Sequence, residues 1–172
     1  SLIGDAPIRS VAQQCLDTFA LLESDRARKR FLQFSSFVEA GYPDSNYHCK
    51  QHGADVTARV IAMLSRSGLL HCSVNPHKKA AHSVGLVTMV AAMVHDYGHP
   101  QVNNAFLVEQ EHSMALDFNN QAVAEHYALR ETMKLLMDVE SNFLGSGREP
   151  EKSATTVAKR KWFRGIVVDL VL

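Results

Sequence analysis

Four of the nine histidines stand in two pairs with an i, i+4 spacing, His48 with His52 and His95 with His99. His95 is joined directly to Asp96, and imidazoles beside a carboxylate are a common ligand set for divalent metal ions. Hydrogen-bonded core histidines and chance spacing are the alternatives for either pair taken alone. No Glu lies between His48 and His52, so the first pair is not the HExxH motif of a zinc protease.

The elements that must position these side chains follow from the apolar periodicity. His52 continues into Val56 and Val60, the expected inward stripe of a helix, so the His52 imidazole should point toward the core. His95 follows an apolar stretch that predicts a buried helix, ended by a glycine and a proline a few residues later. The negative end of the helix dipole favours a cation there. Two core-facing imidazoles and a carboxylate therefore predict a metal site.

A carboxylate on a predicted core face supports this site. Glu125 lies on the inward stripe of a helix expected over about residues 121–137. The apolar members of that stripe are Ala122, Leu129, Met133 and Leu136. An unpaired carboxylate facing the core is costly unless something charged or hydrogen-bonding meets it. A metal-bound water would serve, and a buried pair with an Arg or a His is the alternative.

The periodicity of the whole chain is helical. Apolar residues recur at three- and four-residue steps from the first segment onward, at Ile8, Val11, Cys15, Phe19 and Leu22. No segment alternates cleanly with a period of two, so the sequence predicts an all-α domain of six to eight helices. Clusters of Gly, Pro, Asn and Ser predict loops at residues 41–46, around Pro76, at 98–100 and at 145–150.

The composition excludes several classes of protein. Hydrophobic residues make up 46% of the 172 residues and the formal net charge is zero, so no strong field recruits nucleic acid or an anionic membrane. The longest apolar stretch, residues 84–94, is too short to span a bilayer. Three cysteines without a CxxC pair indicate a reducing compartment. We therefore expect a cytoplasmic segment without membrane contact or a nucleic-acid partner, in a parent chain that other segments could attach to a membrane.

Several segments in register resemble the signatures of class I 3′,5′-cyclic-nucleotide phosphodiesterases. Residues 47–56, YHCKQHGADV, resemble YHNxxHAxDV, and residues 95–100, HDYGHP, resemble HDxxHPG. The segments NAFL at 104–107 and FNNQAVAE at 118–125 resemble NxFL and YNDxSVLE. The closing VVDLVL resembles the helix that leads into the family's ATDM segment. Together these motifs are far more specific than a single HD dipeptide.

The resemblance implies a role for each site residue. His48 matches the histidine that donates a proton to the leaving oxygen. His52, His95 and Asp96 match metal ligands, and Asp96 matches the aspartate that bridges two metal ions. The residues expected around the metals and in the substrate pocket are Tyr47, His99, Asn104 and Glu125. Among these, His99 and Glu125 match residues that hold metal-bound waters.

The resemblance also implies an activity and a multi-helix HD-type phosphodiesterase fold. The family hydrolyses cyclic AMP, cyclic GMP or both to nucleoside 5′-monophosphates in cyclic-nucleotide signalling, through a hydroxide activated by two metal ions. A nitrogen-rich site suits Zn²⁺, and a water-rich site suits Mg²⁺ or Mn²⁺. The small-molecule cyclic nucleotide is the expected partner, and the parent chain could carry regulatory domains or oligomerise.

The chain is expected to be incomplete. It begins without Met and ends inside an apolar run, so we expect residues 1–172 to be the N-terminal part of one phosphodiesterase catalytic domain. The family's later segment supplies the remaining metal-ligand Asp, the purine-binding glutamine and the aromatic clamp. Residues 1–172 alone are therefore expected to be inactive, and the choice between cyclic AMP and cyclic GMP is not encoded in them.

Four positions depart from the family signatures without removing a metal ligand. Cys49, Gly53, Gln101 and Tyr127 stand where Asn, Ala, Gly and His are usual. Tyr127 changes the hydrogen bonds around the metal site, and such outer changes typically cost about 10–100-fold in affinity or activity. Two other functions stay open: another HD-type nucleotide phosphohydrolase, and a catalytically inactive helical domain kept for binding or regulation. The retained histidines and carboxylates argue against the second.

Overall fold

The computed structural model describes residues 4–70, 78–145 and 154–172. These residues form eight α-helices and no strand. The helices are α1 (Pro7–Phe19), α2 (Asp25–Ala40), α3 (Lys50–Arg66), α4 (Lys78–Val94), α5 (Asn104–Glu109), α6 (Ser113–Asp117), α7 (Val123–Leu135) and α8 (Ala154–Val171). The all-α prediction is confirmed. The predicted loops at 41–46 and 98–100 lie between helices, whereas Pro76 and residues 146–150 lie outside the described residues.

Helix α4 is the central element of the fold. It contacts α1, α2, α3, α7 and α8, and its side chains at Met89, Val90, Met93 and Val94 are fully buried. A helix that is apolar on all sides needs neighbours on all sides. The packed helices around α4 therefore fix its C-terminal end, where His95 and Asp96 follow.

The expected inward stripe of α3 was wrong. The buried residues of α3 are Gly53, Ala54, Thr57 and Ile61, whereas Val56 and Val60 are half-buried. The helix packs through its smallest side chains because a Cβ at Gly53 would come within 2.7 Å of the Tyr42 ring. His52 therefore lies at the edge of the buried face, with 22% of its side chain exposed.

A second, smaller core lies beside α7. Leu107 of α5, Ala115 of α6 and Val123 of α7 form a buried cluster separate from the main core around α4. The short helices α5 and α6 pack on each other and on α7. This small core sets the position of the N-terminus of α7, where Glu125 lies. Among the described residues, every helix is too short or too polar to cross a membrane.

Candidate metal and phosphodiester-hydrolysis site

The two histidine pairs of the sequence exchange partners in space. Helix α3 begins at Lys50 and α4 ends at Val94, so the first pair spans the start of α3, the second lies in the turn after α4, and neither lies along one helix face. His52 lies beside His95, with ring centroids 5.4 Å apart. His48 instead stacks on His99, with centroids 3.6 Å apart and the planes inclined by 18°.

His52, His95 and Asp96 form a compact group of ligand atoms. Oδ2 of Asp96 is 3.3 Å from Nε2 of His52 and 3.1 Å from Nε2 of His95. The two Nε2 atoms are 3.4 Å apart. All three residues are partly buried, and their ligand atoms lie within 4.8 Å of one another. Two imidazoles and one carboxylate at this separation suit a divalent metal ion.

The tautomer of His95 favours metal binding through Nε2. Nδ1 of His95 is 2.8 Å from the carbonyl oxygen of Ala92, so Nδ1 carries the hydrogen and donates it. Nε2 is then left with its lone pair, facing Asp96 and His52. Burial lowers the pKa of His95, but the carboxylate of Asp96 and the carbonyl of Ala92 together raise it above its ordinary value.

Asp96 carries the negative charge of the site. Burial alone raises the pKa of this carboxyl group, but the hydrogen bond and charge of His95 oppose it, and the charges of His48 and His99 add to that effect. The net result is a pKa below the ordinary value. The carboxylate is therefore ionised at neutral pH, as a metal ligand must be.

The turn that carries these residues is held between α2 and α7. The turn begins four residues earlier than expected, because α4 ends at Val94 and not near Gly98. Gly98 has a φ of 64°, and its N–H donates to the carbonyl of Gly41 at 3.1 Å. A Cβ at Gly41 would collide with the Tyr97 ring, and one at Gly98 would come within 2.7 Å of Tyr127. The two glycines allow the close packing that fixes the turn.

Tyr42 joins the loop after α2 to the end of α4. Its hydroxyl donates to the carbonyl of Met93 at 3.0 Å. Burial raises the pKa of Tyr42, and the charge of Asp96 adds to this effect, so the hydroxyl stays protonated as a donor. The sequence predicts a loop at Tyr42 and does not indicate this contact. A buried tyrosine in a loop usually hydrogen-bonds the backbone, but the sequence alone does not show which carbonyl it reaches.

His99 is better suited to donate a hydrogen bond than to bind a metal ion. Its Nδ1 accepts a hydrogen bond from the N–H of Gln101 at 3.0 Å, so the neutral ring carries its proton on Nε2. Burial and the charge of His48 lower the pKa of His99, although Asp96 and Glu125 act in the opposite direction. His48, Asp96 and His99 also have ligand atoms within 4.8 Å, but the tautomer of His99 favours the group formed by His52, His95 and Asp96.

The remaining predicted residues surround this centre. Tyr47 is 65% exposed, and its ring centroid lies 4.9 Å from that of His48 and 4.8 Å from that of His52. Nδ2 of Asn104 donates to Oε2 of Glu125 at 2.8 Å. The charge of Glu125 acts to raise the pKa of His99, against the net lowering by burial and His48. The recorded partner of Glu125 is thus an asparagine in place of the Arg or His given as the alternative, and both Asn104 and Glu125 are half-buried.

A family model described as 3′5′-cyclic nucleotide phosphodiesterase matches residues 47–167. The chain belongs to this family. The matched range contains all eight predicted site residues, and it confirms the resemblance that the motifs indicate. The histidines and carboxylates described above therefore all lie within the part of the chain that matches the phosphodiesterase family.

Curated relatives of this phosphodiesterase chain share about a quarter of its residues. The mouse dual specificity calcium/calmodulin-dependent 3′,5′-cyclic nucleotide phosphodiesterase 1B is 26% identical over 171 residues, which cover 98% of this chain and 29% of that protein. The 3′,5′-cyclic-AMP phosphodiesterase 4 of Dictyostelium discoideum is 29% identical over 116 residues, which cover 66% of this chain and 10% of that protein. The chain thus spans less than a third of the length of these relatives.

A solved structure shows the same fold. The phosphodiesterase domain of the RhoPDE fusion protein from the choanoflagellate Salpingoeca rosetta superimposes with a TM-score of 0.74 at 17% sequence identity. The match covers 96% of this chain and 48% of that chain. The eight helices therefore correspond to about half of that structure.

Proposed function

We propose that residues 1–172 are the N-terminal part of a single catalytic domain that hydrolyses 3′,5′-cyclic nucleotides to nucleoside 5′-monophosphates. The observation that carries the proposal is the convergence of His52, His95 and Asp96, whose ligand atoms lie within 4.8 Å of one another. The names of the relatives support the substrate class, since they act on cyclic AMP or, as in the Plasmodium falciparum enzyme, on cyclic AMP and cyclic GMP. The cytoplasmic location stays a prediction.

His52, His95 and Asp96 are the residues that would hold divalent metal ions. The two imidazoles favour Zn²⁺ at one position, and the carboxylate of Asp96 has a second oxygen that suits Mg²⁺ or Mn²⁺ beside it. Such ions would lower the pKa of water toward neutrality and offset the charge of the phosphate.

His48 is the proposed general acid. It lies against His99 on one side and Tyr47 on the other, and it stands just before the first turn of α3. As an imidazolium it would protonate the O3′ leaving oxygen, a step typically worth about 10²–10⁴ in rate. The Nε2 hydrogen of His99 and the carboxylate of Glu125 would orient water in the same space, and Tyr47 would border the substrate.

Metal binding by this chain tests the ligand assignment. Zn²⁺ should bind the wild-type chain with a stoichiometry near one per chain in a calorimetric titration, and both His52→Ala and Asp96→Ala should abolish this binding. His126→Ala is the matched control, because the His126 ring hydrogen-bonds the backbone carbonyls of Gln121 and Ala122 instead of the site. Unchanged Zn²⁺ affinity in both ligand variants would contradict the assignment and favour an inactive helical domain.

Activity tests the proposal that the domain is incomplete. Residues 1–172 should show little cyclic-nucleotide hydrolysis with Zn²⁺ and Mg²⁺ or Mn²⁺, because a substrate held by half a pocket is not oriented for in-line attack. The chain extended through the family's C-terminal half should hydrolyse cyclic AMP, cyclic GMP or both. Robust turnover by residues 1–172 that depends on His48 would refute this part of the proposal.

A further inference from the structure

Helix α7 begins without a capping side chain of its own. Its N-cap residue is Ala122, which has a φ of 38° and a ψ of 54° and offers no side-chain hydrogen-bond acceptor. The N–H of Ala124 is instead satisfied from another helix, because it donates to Oδ1 of Asn104 at 2.9 Å. Asn104 is the first residue of α5 and lies 20 positions earlier in the chain.

The same amide also holds the carboxylate of the following residue. Nδ2 of Asn104 donates to Oε2 of Glu125 at 2.8 Å, so the two ends of one side chain bind two successive residues of α7. Only one orientation of the amide satisfies both contacts. A flipped amide would set its NH₂ group against the Ala124 N–H and its oxygen against a carboxylate, and both contacts would be repulsive.

This double contact restricts Glu125. A glutamate in the first turn of a helix has several rotamers open to it, including those that reach the helix's own N–H groups or solvent. The hydrogen bond from Asn104 selects one of them and leaves the second carboxylate oxygen free to accept from water. The charge of this carboxylate is felt by His99, so its position matters to the site.

We propose that Asn104 is a positioning residue that fixes the Glu125 carboxylate toward the metal site, in addition to capping α7. The proposal rests on the proposed function for its consequence in catalysis, but the contact itself is independent of any metal ion. Capping and positioning use different ends of the amide, and substitutions can therefore separate them.

Two variants of Asn104 separate these roles. Asn104→Asp keeps an oxygen that can accept from Ala124, and Asp is as good a capping residue as Asn. It loses the donor to Glu125 and brings two carboxylates together, which repel each other. Asn104→Ala loses both contacts. If Asn104 were only a cap, Asn104→Asp would resemble the wild type.

Asn103→Ala supplies a matched control from the neighbouring position. Oδ1 of Asn103 accepts from the N–H of Phe106 at 2.8 Å and caps α5. Among the described residues it makes no contact with Glu125 that the structure records. Its substitution therefore removes a helix cap with the same chemistry and leaves the carboxylate of Glu125 in place.

A double-mutant cycle in the metal-free chain measures the contact directly. Urea unfolding of the wild type, Asn104→Ala, Glu125→Ala and the double variant should show that the two single effects on the unfolding constant do not multiply. The expected discrepancy is roughly fivefold or more, as for hydrogen bonds to a charged group. An additive cycle overturns the proposal, whatever the metal measurements show.

Metal affinity and kinetics measure the consequence in the chain extended through the C-terminal half of the domain. Asn104→Ala and Asn104→Asp should each weaken Mn²⁺ binding by about 10–100-fold and lower kcat with little change in KM, whereas Asn103→Ala stays within about twofold of the wild type. Wild-type Mn²⁺ affinity in Asn104→Asp would reduce Asn104 to a cap and overturn the proposal. Unchanged affinity in Glu125→Ala would instead refute the proposed role of Glu125, while the metal-free cycle would still decide whether Asn104 holds it.

Discussion

The N-termini of α1 and α7 share one local defect that the fold corrects in two different ways. Both helices have an alanine at the N-cap, Ala6 and Ala122, and neither has a capping side chain. At α1 the correction comes from Glu39 of α2, whose two carboxylate oxygens each accept from the backbone, from Ile8 and Arg9, at 3.3 Å. At α7 it comes from Asn104, which divides its amide between the backbone and Glu125.

The Glu39 contact holds only a helix N-terminus, whereas the Asn104 contact also holds a second side chain, that of Glu125. Both oxygens of Glu39 accept from helix N–H groups, those of Ile8 and Arg9, and Glu39 is buried. Asn104 uses one half of its amide for the helix and the other half for a residue of the site. If the proposal for Asn104 holds, the same kind of tertiary contact serves only the fold at α1 and both the fold and the site at α7.

Left-handed backbone conformations are concentrated in the segment before α7. Of the six non-glycine residues with positive φ among the described residues, five lie between 101 and 122, in the turns around α5 and α6. Such conformations cost about 1–2 kcal/mol each for most residues and persist only where surrounding contacts impose them. The small core of Leu107, Ala115 and Val123 supplies some of those contacts, so this region depends more on individual hydrogen bonds than the core around α4 does.

The largest expected effect is at the candidate site itself, on the proposed general acid. His48→Ala in the extended chain should lower turnover by about 10²–10⁴, because the leaving oxygen loses its proton donor. The content of bound metal ions, measured by elemental analysis, should stay at the wild-type level. Loss of the metal ions in this variant would mean that His48 is a ligand and that our division of roles is wrong.

The next largest effect is expected at Gly41. This residue follows α2, and its carbonyl accepts from the N–H of Gly98 in the turn that carries Asp96. Gly41→Ala would place a Cβ against the Tyr97 ring. The backbone or the Tyr97 ring would have to move to avoid the collision. This movement should lower the free energy of unfolding by about 1–3 kcal/mol and weaken Zn²⁺ binding. Gly165→Ala is the matched control, since a Cβ there meets nothing within 4 Å; urea unfolding should show no loss, and equal losses in both variants would refute the argument.

A smaller effect is expected at α1, and it should be confined to stability. Glu39→Ala leaves the N–H groups of Ile8 and Arg9 without their acceptors and should lower the free energy of unfolding by about 1–2 kcal/mol. The Zn²⁺ affinity of the folded chain should stay unchanged, whereas the Asn104 variants are expected to lose affinity for Mn²⁺. A calorimetric titration that shows weaker Zn²⁺ binding in Glu39→Ala would break the distinction between the two caps.

The convergence of His52, His95 and Asp96 was predictable, whereas the contacts that hold these residues in place were not. The signatures around His52, His95 and Asp96 indicate the ligand set directly, and the helical period is sufficient for the all-α class. The buried face of α3 was mispredicted because close packing on Gly53 and Ala54 leaves no signal in hydropathy. Contacts such as Asn104 with Glu125 join residues 21 positions apart, and periodicity within one helix carries no information about them.

The partner exchange of the histidines shows a further limit of sequence reasoning. An i, i+4 spacing predicts a shared face only when both residues lie within one helix. His48 precedes α3, and His95 and His99 follow α4, so the pairs meet across helix ends instead. The distance between His52 and His95 depends on how α3 packs against α4, which is a tertiary property.

The smallest expected effect is a pH dependence at Glu39. Burial raises the pKa of Glu39 above its ordinary value of 4.5, although the N–H groups of Arg9 and Ile8 oppose this. A carboxyl group with a raised folded-state pKa binds more protons in the folded than in the unfolded chain, so its contribution to stability is complete below about pH 4.5 and declines as the pH rises through the folded-state pKa. Relative to Glu39→Gln, which does not titrate, the wild type should therefore lose stability as the pH rises from about 4.5 through the folded-state pKa. Parallel urea-unfolding series of the two proteins measure this difference, and a gap that is constant or widens in favour of the wild type as the pH rises would show that the hydrogen bonds outweigh burial at the N-terminus of α1.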